Sequence, residues 1–182
     1  MDGVGDGDGD VSGFLVGHYG GVDFDLGGAL AVLTVHQGGQ TTVRVYPTPT
    51  VEGAKSRREY DVNGIAAICH DACLGVSGVL IEAAHALPAA MGGSFANFLR
   101  GRGSAAWETA LAAQGIRRDF VRPAVWKKQL GLRGGAKNKR ESIAKAKALV
   151  PASAEHLRLA SDHGKAEAVL LAYLAWQRWG KV

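Results

Sequence analysis

The 182-residue chain is 47% hydrophobic and 21% charged, the balance of one globular domain with a full core, which excludes a disordered chain, a collagen or a coiled-coil rod. Its apolar runs are interrupted by Gly, charge or His within about a dozen residues, short of a bilayer span. Formal net charge is +4, but residues 1–116 hold 6 Lys and Arg against 12 Asp and Glu, while residues 117–182 hold 15 against 5; so basic a half suits a polyanion, nucleic acid first, with a merely solvated surface as the alternative.

Residues 1–13 alternate Gly and Asp and predict a flexible tail, without the acidic order of a calcium loop. Neither a signal peptide nor a transit peptide is recognisable. Phe14–Val22, Ala29–His36 and Thr41–Tyr46 read as three strands of an antiparallel meander. Gln37–Gln40 connects the last two, and Pro47 and Pro49 end the third. Residues 50–60 read as a polar loop. Asp61–Cys73 has helical spacing, with Asp61 as N-cap and Val62, Ile65, Ala66, Cys69 and Cys73 on one face. These two cysteines supply no disulfide framework and no Cys-rich zinc site; they read as buried thiols in a reducing compartment.

Val76–Ile81 is a near-continuous apolar strand ending in Glu82. Ala83–Gly103 reads as a Gly/Ser-rich loop, Ser104–Gln114 as a helix stopped by Gly115, Ile116–Val121 as a strand and Ala124–Leu130 as a short helix. Arg133–Arg140 is a basic linker, Glu141–Val150 a helix stopped by Pro151, residues 152–161 a short polar segment and Lys165–Trp179 a long apolar helix. The order predicts one α/β domain over residues 14–182: a mixed central sheet, antiparallel meander plus parallel strands, flanked by helices.

Three carboxylates stand where element ends can bring them together. Asp23 ends the first strand, Glu82 ends the buried strand, and Glu167 lies on the last helix, one turn after His163, with Asp162 at the helix edge. Strand C-termini are where sites form in α/β sheets. Converging carboxylates repel unless cations lie between them, and hard oxygen donors suit Mg²⁺ or Mn²⁺, a pair of which supports phosphodiester hydrolysis. Each acid also has an ordinary reading. Asp23 could cap a turn, or Asp25 could be the acid that matters; Glu82 could be solvated; Asp162 could cap the helix; His163 and Glu167 could be a surface pair.

The stretches GVDFDLGGALAVL (Gly21–Leu33), VYPTPTV (Val45–Val51), VLIEAAHALP (Val79–Pro88), VRPAVWKKQLGL (Val121–Leu132) and SDHGKAEAVLLAYLAW (Ser161–Trp176) resemble the RuvC-type Holliday junction resolvases of the RNase H-like nucleases, specifically their chloroplast branch in plants and algae, the monokaryotic-chloroplast resolvases. Phe24 replaces the proline usual between the first two acids, and Glu167 stands where bacterial relatives carry Asp, at a spacing to His163 one residue longer. The resemblance implies an RNase H-like fold and a homodimer that resolves four-way DNA junctions by paired symmetric nicks, with some sequence preference. It also implies Mg²⁺, with Mn²⁺ as a substitute, held by Asp23, Glu82 and Glu167, with His163 or Asp162 completing the site. No organic cofactor and no membrane are implied, and the location implied is the chloroplast nucleoid.

On that reading Lys127, Lys128, Arg133, Lys137, Lys139, Arg140 and Lys145 contact phosphates. Phe95, Phe98, Arg100 and Arg102, from the segment after the second acid, enter the junction centre, where an aromatic ring can wedge between unstacked bases. Packing of the two phenylalanines under the loop or in a dimer interface is the alternative. Trp107, Trp126, Tyr173, Trp176 and Trp179 read as core or interface residues. The rivals are another RNase H-like nuclease acting on RNA–DNA hybrids or strand ends, a non-catalytic junction-binding protein, and an unrelated basic α/β protein whose acids are caps.

Overall fold

The computed structural model describes residues 15–53, 56–86, 89–133 and 139–180, with the backbone alone at residue 15 and at residues 89–92. The Gly/Asp segment 1–13 and Lys137 lie outside the described residues. Five strands form one sheet in the order β3-β2-β1-β6-β7: β1 (Leu15–Asp23), β2 (Ala29–His36), β3 (Thr41–Pro47), β6 (Val76–Glu82) and β7 (Arg118–Val121). The first three pair antiparallel, whereas β6 joins β1 and β7 joins β6 in parallel. The predicted meander and parallel strands are therefore present, and the fold is the mixed α/β sheet expected.

Residues 50–60 depart from the sequence expectation. Instead of a loop they form a small hairpin, β4 (Thr50–Glu52) with β5 (Arg58–Tyr60). Its sequence is polar because only Tyr60 is buried.

Helix α1 (Val62–Ala72) follows, and Asp61 caps it by accepting from the Gly64 N–H at 3.0 Å. Its buried face is Ile65, Cys69 and Ala72; Val62 and Ala66 are exposed. Both thiols are buried and unpaired.

A second departure is larger. Helix α2 (Ala89–Ala113) occupies most of the segment read as a loop over Ala83–Gly103. Gly93, at φ 63°, interrupts it. Glycines hide the helical signal there, while buried Trp107 and Leu111 further along anchor the element among α1 and β6 residues. The remaining helices are α3 (Pro123–Gln129), α4 (Lys139–Leu149) and α5 (His163–Trp179), with a 3₁₀ turn at Pro151–His156. Lys139 and Arg140 thus open a helix rather than end a linker.

Strand β2 is buried on both faces, so it reads as the continuous run Ala29–Leu33 rather than as an alternation. Leu30 and Val32 join Phe24, Ile65, Trp107 and Ile81 under α1 and α2; Ala29, Ala31 and Leu33 join Trp126, Leu170 and Leu171 on the other face. That second face is covered by α5, whose approach is unusually close. A Cβ on Gly21 would overlap the Ala168 carbonyl oxygen and the Ala172 backbone nitrogen, and one on Gly164 would overlap the Gly27 carbonyl oxygen.

Gly21→Ala must therefore push α5 off the sheet. Overpacking of this kind costs about 2 kcal/mol or more, so thermal unfolding followed by circular dichroism should fall by about 5 °C or more. An unchanged midpoint would show that the contact is not tight.

Candidate active site

The sheet order sets the site. Parallel pairing of β1 with β6 puts Asp23 and Glu82 at the same end of adjacent central strands. The chain then leaves β1 through a tight turn, in which the Gly28 N–H donates to the Asp25 carbonyl at 2.8 Å, and returns as β2. Because α5 starts over this end, Gly164 sits against the Asp23 carboxylate: a Cβ there would lie 3.0 Å from Asp23 Oδ2. His163 opens α5 just before Gly164, and Glu167 follows one turn later.

Asp23 and Glu82 are each only 6% exposed. Burial raises the Asp23 pKa well above the usual carboxylate range, and the neighbouring charges of Glu82, Asp25 and Glu167 raise it further. Glu82 is pushed up to about 7, first by burial and then by Glu167, against the opposing pull of Lys127 and a Trp126 hydrogen bond. Glu82 and Glu167 thus both act on Asp23, and Glu167 acts on Glu82, so the three acids lie within electrostatic reach of one another.

The carboxylates have few partners. Asp23 Oδ1 accepts a long hydrogen bond of 3.3 Å from the Asp25 N–H. The Trp126 indole N–H donates to Glu82 Oε2 at 3.0 Å. Lys127 Nζ donates to both Glu167 oxygens, at 2.9 and 3.0 Å, and the Ser142 hydroxyl donates to Oε1 at 3.1 Å. His163 Nδ1 is buried with no hydrogen-bond partner among the described residues.

Asp162 is not part of the cluster. Its Oδ2 accepts from the Leu159 N–H at 2.8 Å and its Oδ1 pairs with Lys165 at 2.9 Å, so its carboxylate closes the turn before α5. Those partners hold its pKa below the usual range despite burial. Of the two residues left open to complete the site, His163 has the free polar atom and Asp162 does not.

Among the described residues no three His, Cys, Asp or Glu side chains converge as a ready metal cage. The donor set nevertheless suits a divalent cation. Asp23 and Glu82 are buried, the charge of Glu82 raises the Asp23 pKa, His163 Nδ1 has no hydrogen-bond partner among the described residues and lies one helical turn before Glu167, and the nearby cations Lys127 and Arg100 pair with Glu167 and Asp25 rather than with Asp23. Glu167 would have to share its oxygens with Lys127.

Several residues read as phosphate or base contacts hold acids instead. Arg100 pairs with Asp25 at 2.9 Å, Arg102 with Glu59 at 3.0 Å, Lys127 with Glu167 at 2.9 Å and Arg133 with Glu141 at 2.6 Å. Lys128 is the neighbour of Lys127 on α3, and Lys139, Arg140 and Lys145 lie on α4. Phe95 and Phe98 are 54% and 63% exposed on α2, so more than half of each is open to solvent, and the Arg57 guanidinium lies 5.3 Å from the Phe95 ring centre.

Sequence reasoning missed Trp126 and Ser142 as supports of the acids, and Arg57 as the partner of Phe95. The spacing of Trp126 beside Lys127 was visible. That one side chain reaches Glu82 and the next Glu167 depends on how α3 crosses the strand ends.

No protein-family model matches the chain, and no curated protein sequence does. Solved structures do. RuvC of T. thermophilus in complex with Holliday junction substrate superposes with TM-score 0.57, and a second Thermus thermophilus RuvC structure with 0.55. Each is 17% identical, over 90% of this chain and 95% of that chain. The fold is thus the RNase H-like fold of RuvC.

The raised Glu82 pKa gives a signed expectation for the metal-free protein. Folding lifts this carboxyl from its ordinary 4.5 to about 7, so its protonated form is favoured in the fold. The stability it confers is full below pH 4.5 and is lost as pH rises through about 7, a swing of about 3 kcal/mol. In EDTA, wild type should lose thermal stability relative to Glu82→Gln between pH 5 and pH 8, and Mg²⁺ should restore it at pH 8. A pH-independent difference between the two proteins would contradict this.

Proposed function

We propose that this chain is a structure-selective endonuclease that resolves four-way DNA junctions by paired symmetric nicks. The observation that carries this reading is the buried, mutually repelling pair Asp23 and Glu82 at the ends of β1 and β6, with Glu167 over them, on the fold of a protein solved with Holliday junction substrate. Asp23, Glu82 and Glu167 would hold Mg²⁺, or Mn²⁺ in its place, which when bound activates water and neutralises the scissile phosphate.

The chain's own side chains prepare that chemistry. The Trp126 N–H fixes the orientation of the Glu82 carboxylate, as a hydrogen bond behind a metal ligand does. Lys127 and Ser142 fix Glu167 in the same way. His163, with Nδ1 unpartnered among the described residues, would hold the attacking water or take its proton. Phe95 and Phe98 present exposed rings to bases unstacked at the crossover, with Lys128, Lys139, Arg140 and Lys145 on phosphates. A second copy of the chain would supply the opposite nick, and the chloroplast nucleoid is the compartment proposed on the sequence resemblance alone.

A nicking assay tests the reading. A mobile four-way junction, a linear duplex and an RNA–DNA hybrid are incubated with Mg²⁺ or EDTA, using wild type and Glu82→Gln. Symmetric Mg²⁺-dependent nicks in the junction alone are expected, and Glu82→Gln should slow them about a thousandfold, matching the loss of several kcal/mol of charge stabilisation. Cleavage of the hybrid instead would reassign the protein to the ribonucleases of this fold, and junction binding without cleavage would make it a scaffold.

Trp126→Phe leaves the ring in place but removes the N–H. Nicking should drop about tenfold, with a higher Mg²⁺ requirement. Wild-type Mg²⁺ dependence in this variant would show that the indole only packs.

A further inference from the structure

The basic residues nearest the acids are largely neutralised, which directs attention to those that are not. A groove of about 380 Å³ runs between one face of α4 and the segment leading into α5; Arg140, Ile143 and Lys147 line one wall, and Leu157, Arg158 and Leu159 the other. Arg140, Lys147 and Arg158 are exposed, and none forms an ion pair among the described residues. Four other basic side chains, Arg100, Arg102, Lys127 and Arg133, each hold a carboxylate.

The adjoining cavity, about 390 Å³, shares Arg158 and Leu159 and adds Lys165 and His156. Of its two acids, Asp162 is paired with Lys165 at 2.9 Å, while the exposed Glu155 lies 3.4 Å from His156, an ion pair only when that imidazole is protonated. Among the described residues no carboxylate lines the groove itself; Glu155 lies in the adjoining cavity. The groove floor is aliphatic, and Leu159 is 64% exposed.

Its position matters as much as its charge. Ser142 ties α4 to Glu167, and Arg158 precedes His163 by five residues, so the groove flanks the acidic cluster. It lies on the α5 face of the sheet, whereas Phe95 and Phe98 project from α2, which packs on the opposite face.

We propose that this groove holds the phosphodiester backbone of a DNA arm leaving the cleavage point on the α5 side, with Lys147 and Arg158 as phosphate contacts beside Arg140. The inference rests on the endonuclease reading above and adds a second surface to it. Three unpaired cations in a row along a helix face and a facing loop match the spaced charges of a nucleic-acid strand, and the aliphatic floor suits deoxyribose edges.

The test measures binding of a fluorescent immobile four-way junction by anisotropy, in EDTA so that nothing is cut, across a series of salt concentrations. Wild type is compared with the double variant Lys147→Ala/Arg158→Ala, on a junction with long arms and on one with arms truncated close to the crossover. Both side chains are exposed, and an unchanged thermal midpoint checks the fold. On long arms the double variant should bind about tenfold more weakly, and the slope of log K against log salt should fall by about 2, one unit for each lost phosphate contact. On truncated arms the difference should vanish.

Equal slopes and affinities on long arms would overturn the groove while leaving the endonuclease reading in place. An equal loss on truncated arms would also overturn it, by moving these residues to the crossover. Wild type that fails to bind any junction would remove the endonuclease reading and the groove with it.

Discussion

The close contact of α5 with β1 is the constraint on which the site depends. Gly21 on the strand meets the Ala168 carbonyl and the Ala172 amide of the helix with no side chain between them, and Gly164 meets Gly27 and Asp23 in the same way. A helix normally rides on side chains, about 10 Å from a sheet. Here missing Cβ atoms let the backbone descend, and His163 and Glu167 descend with it. The same contact seals Asp23 from water. The carboxyl is buried because the helix that brings its partners also covers it, so the positioning of the site and its electrostatic tension have one cause.

That tension explains the residues around the acids. Burying two carboxylates side by side is unfavourable unless something compensates. The chain supplies compensation at Glu82 through the Trp126 indole and at Glu167 through Lys127 and Ser142. Among the described residues Asp23 receives only a long backbone hydrogen bond, and burial with the charges of Glu82, Asp25 and Glu167 holds its pKa well above the usual range. That acid lies at the end of the central strand β1, beside the end of β6 that carries Glu82.

The same pairing logic revises the picture of the basic half. Counting charges suggests a uniform cationic surface over residues 117–182. In the folded chain Lys127 and Arg133 are spent on carboxylates, as are Arg100 and Arg102 from the acidic half. Among the basic residues with no ion pair among the described residues are Arg140 and Lys147 on α4 and Arg158 on the loop before α5, which line one groove. Net charge identified a class of partner; ion pairing identifies which surface is available to it.

The strands, the N-cap at Asp61 and the long final helix were legible because apolar periodicity and capping residues act locally. The helix through residues 89–103 was not, since its glycines carry no local signal and its order comes from Trp107 and Leu111 packing against other elements. The hairpin at residues 50–60 was masked by exposed side chains. The sequence by itself determined the mixed α/β architecture and the candidacy of Asp23, Glu82 and Glu167, because strand-end acids on a recognisable order of elements are one-dimensional facts. Only the tertiary structure decided that His163 keeps a free nitrogen while Asp162 is committed to Lys165, and that Lys127 serves an acid. Those outcomes depend on distances between segments far apart in the chain, and close packing sets such distances.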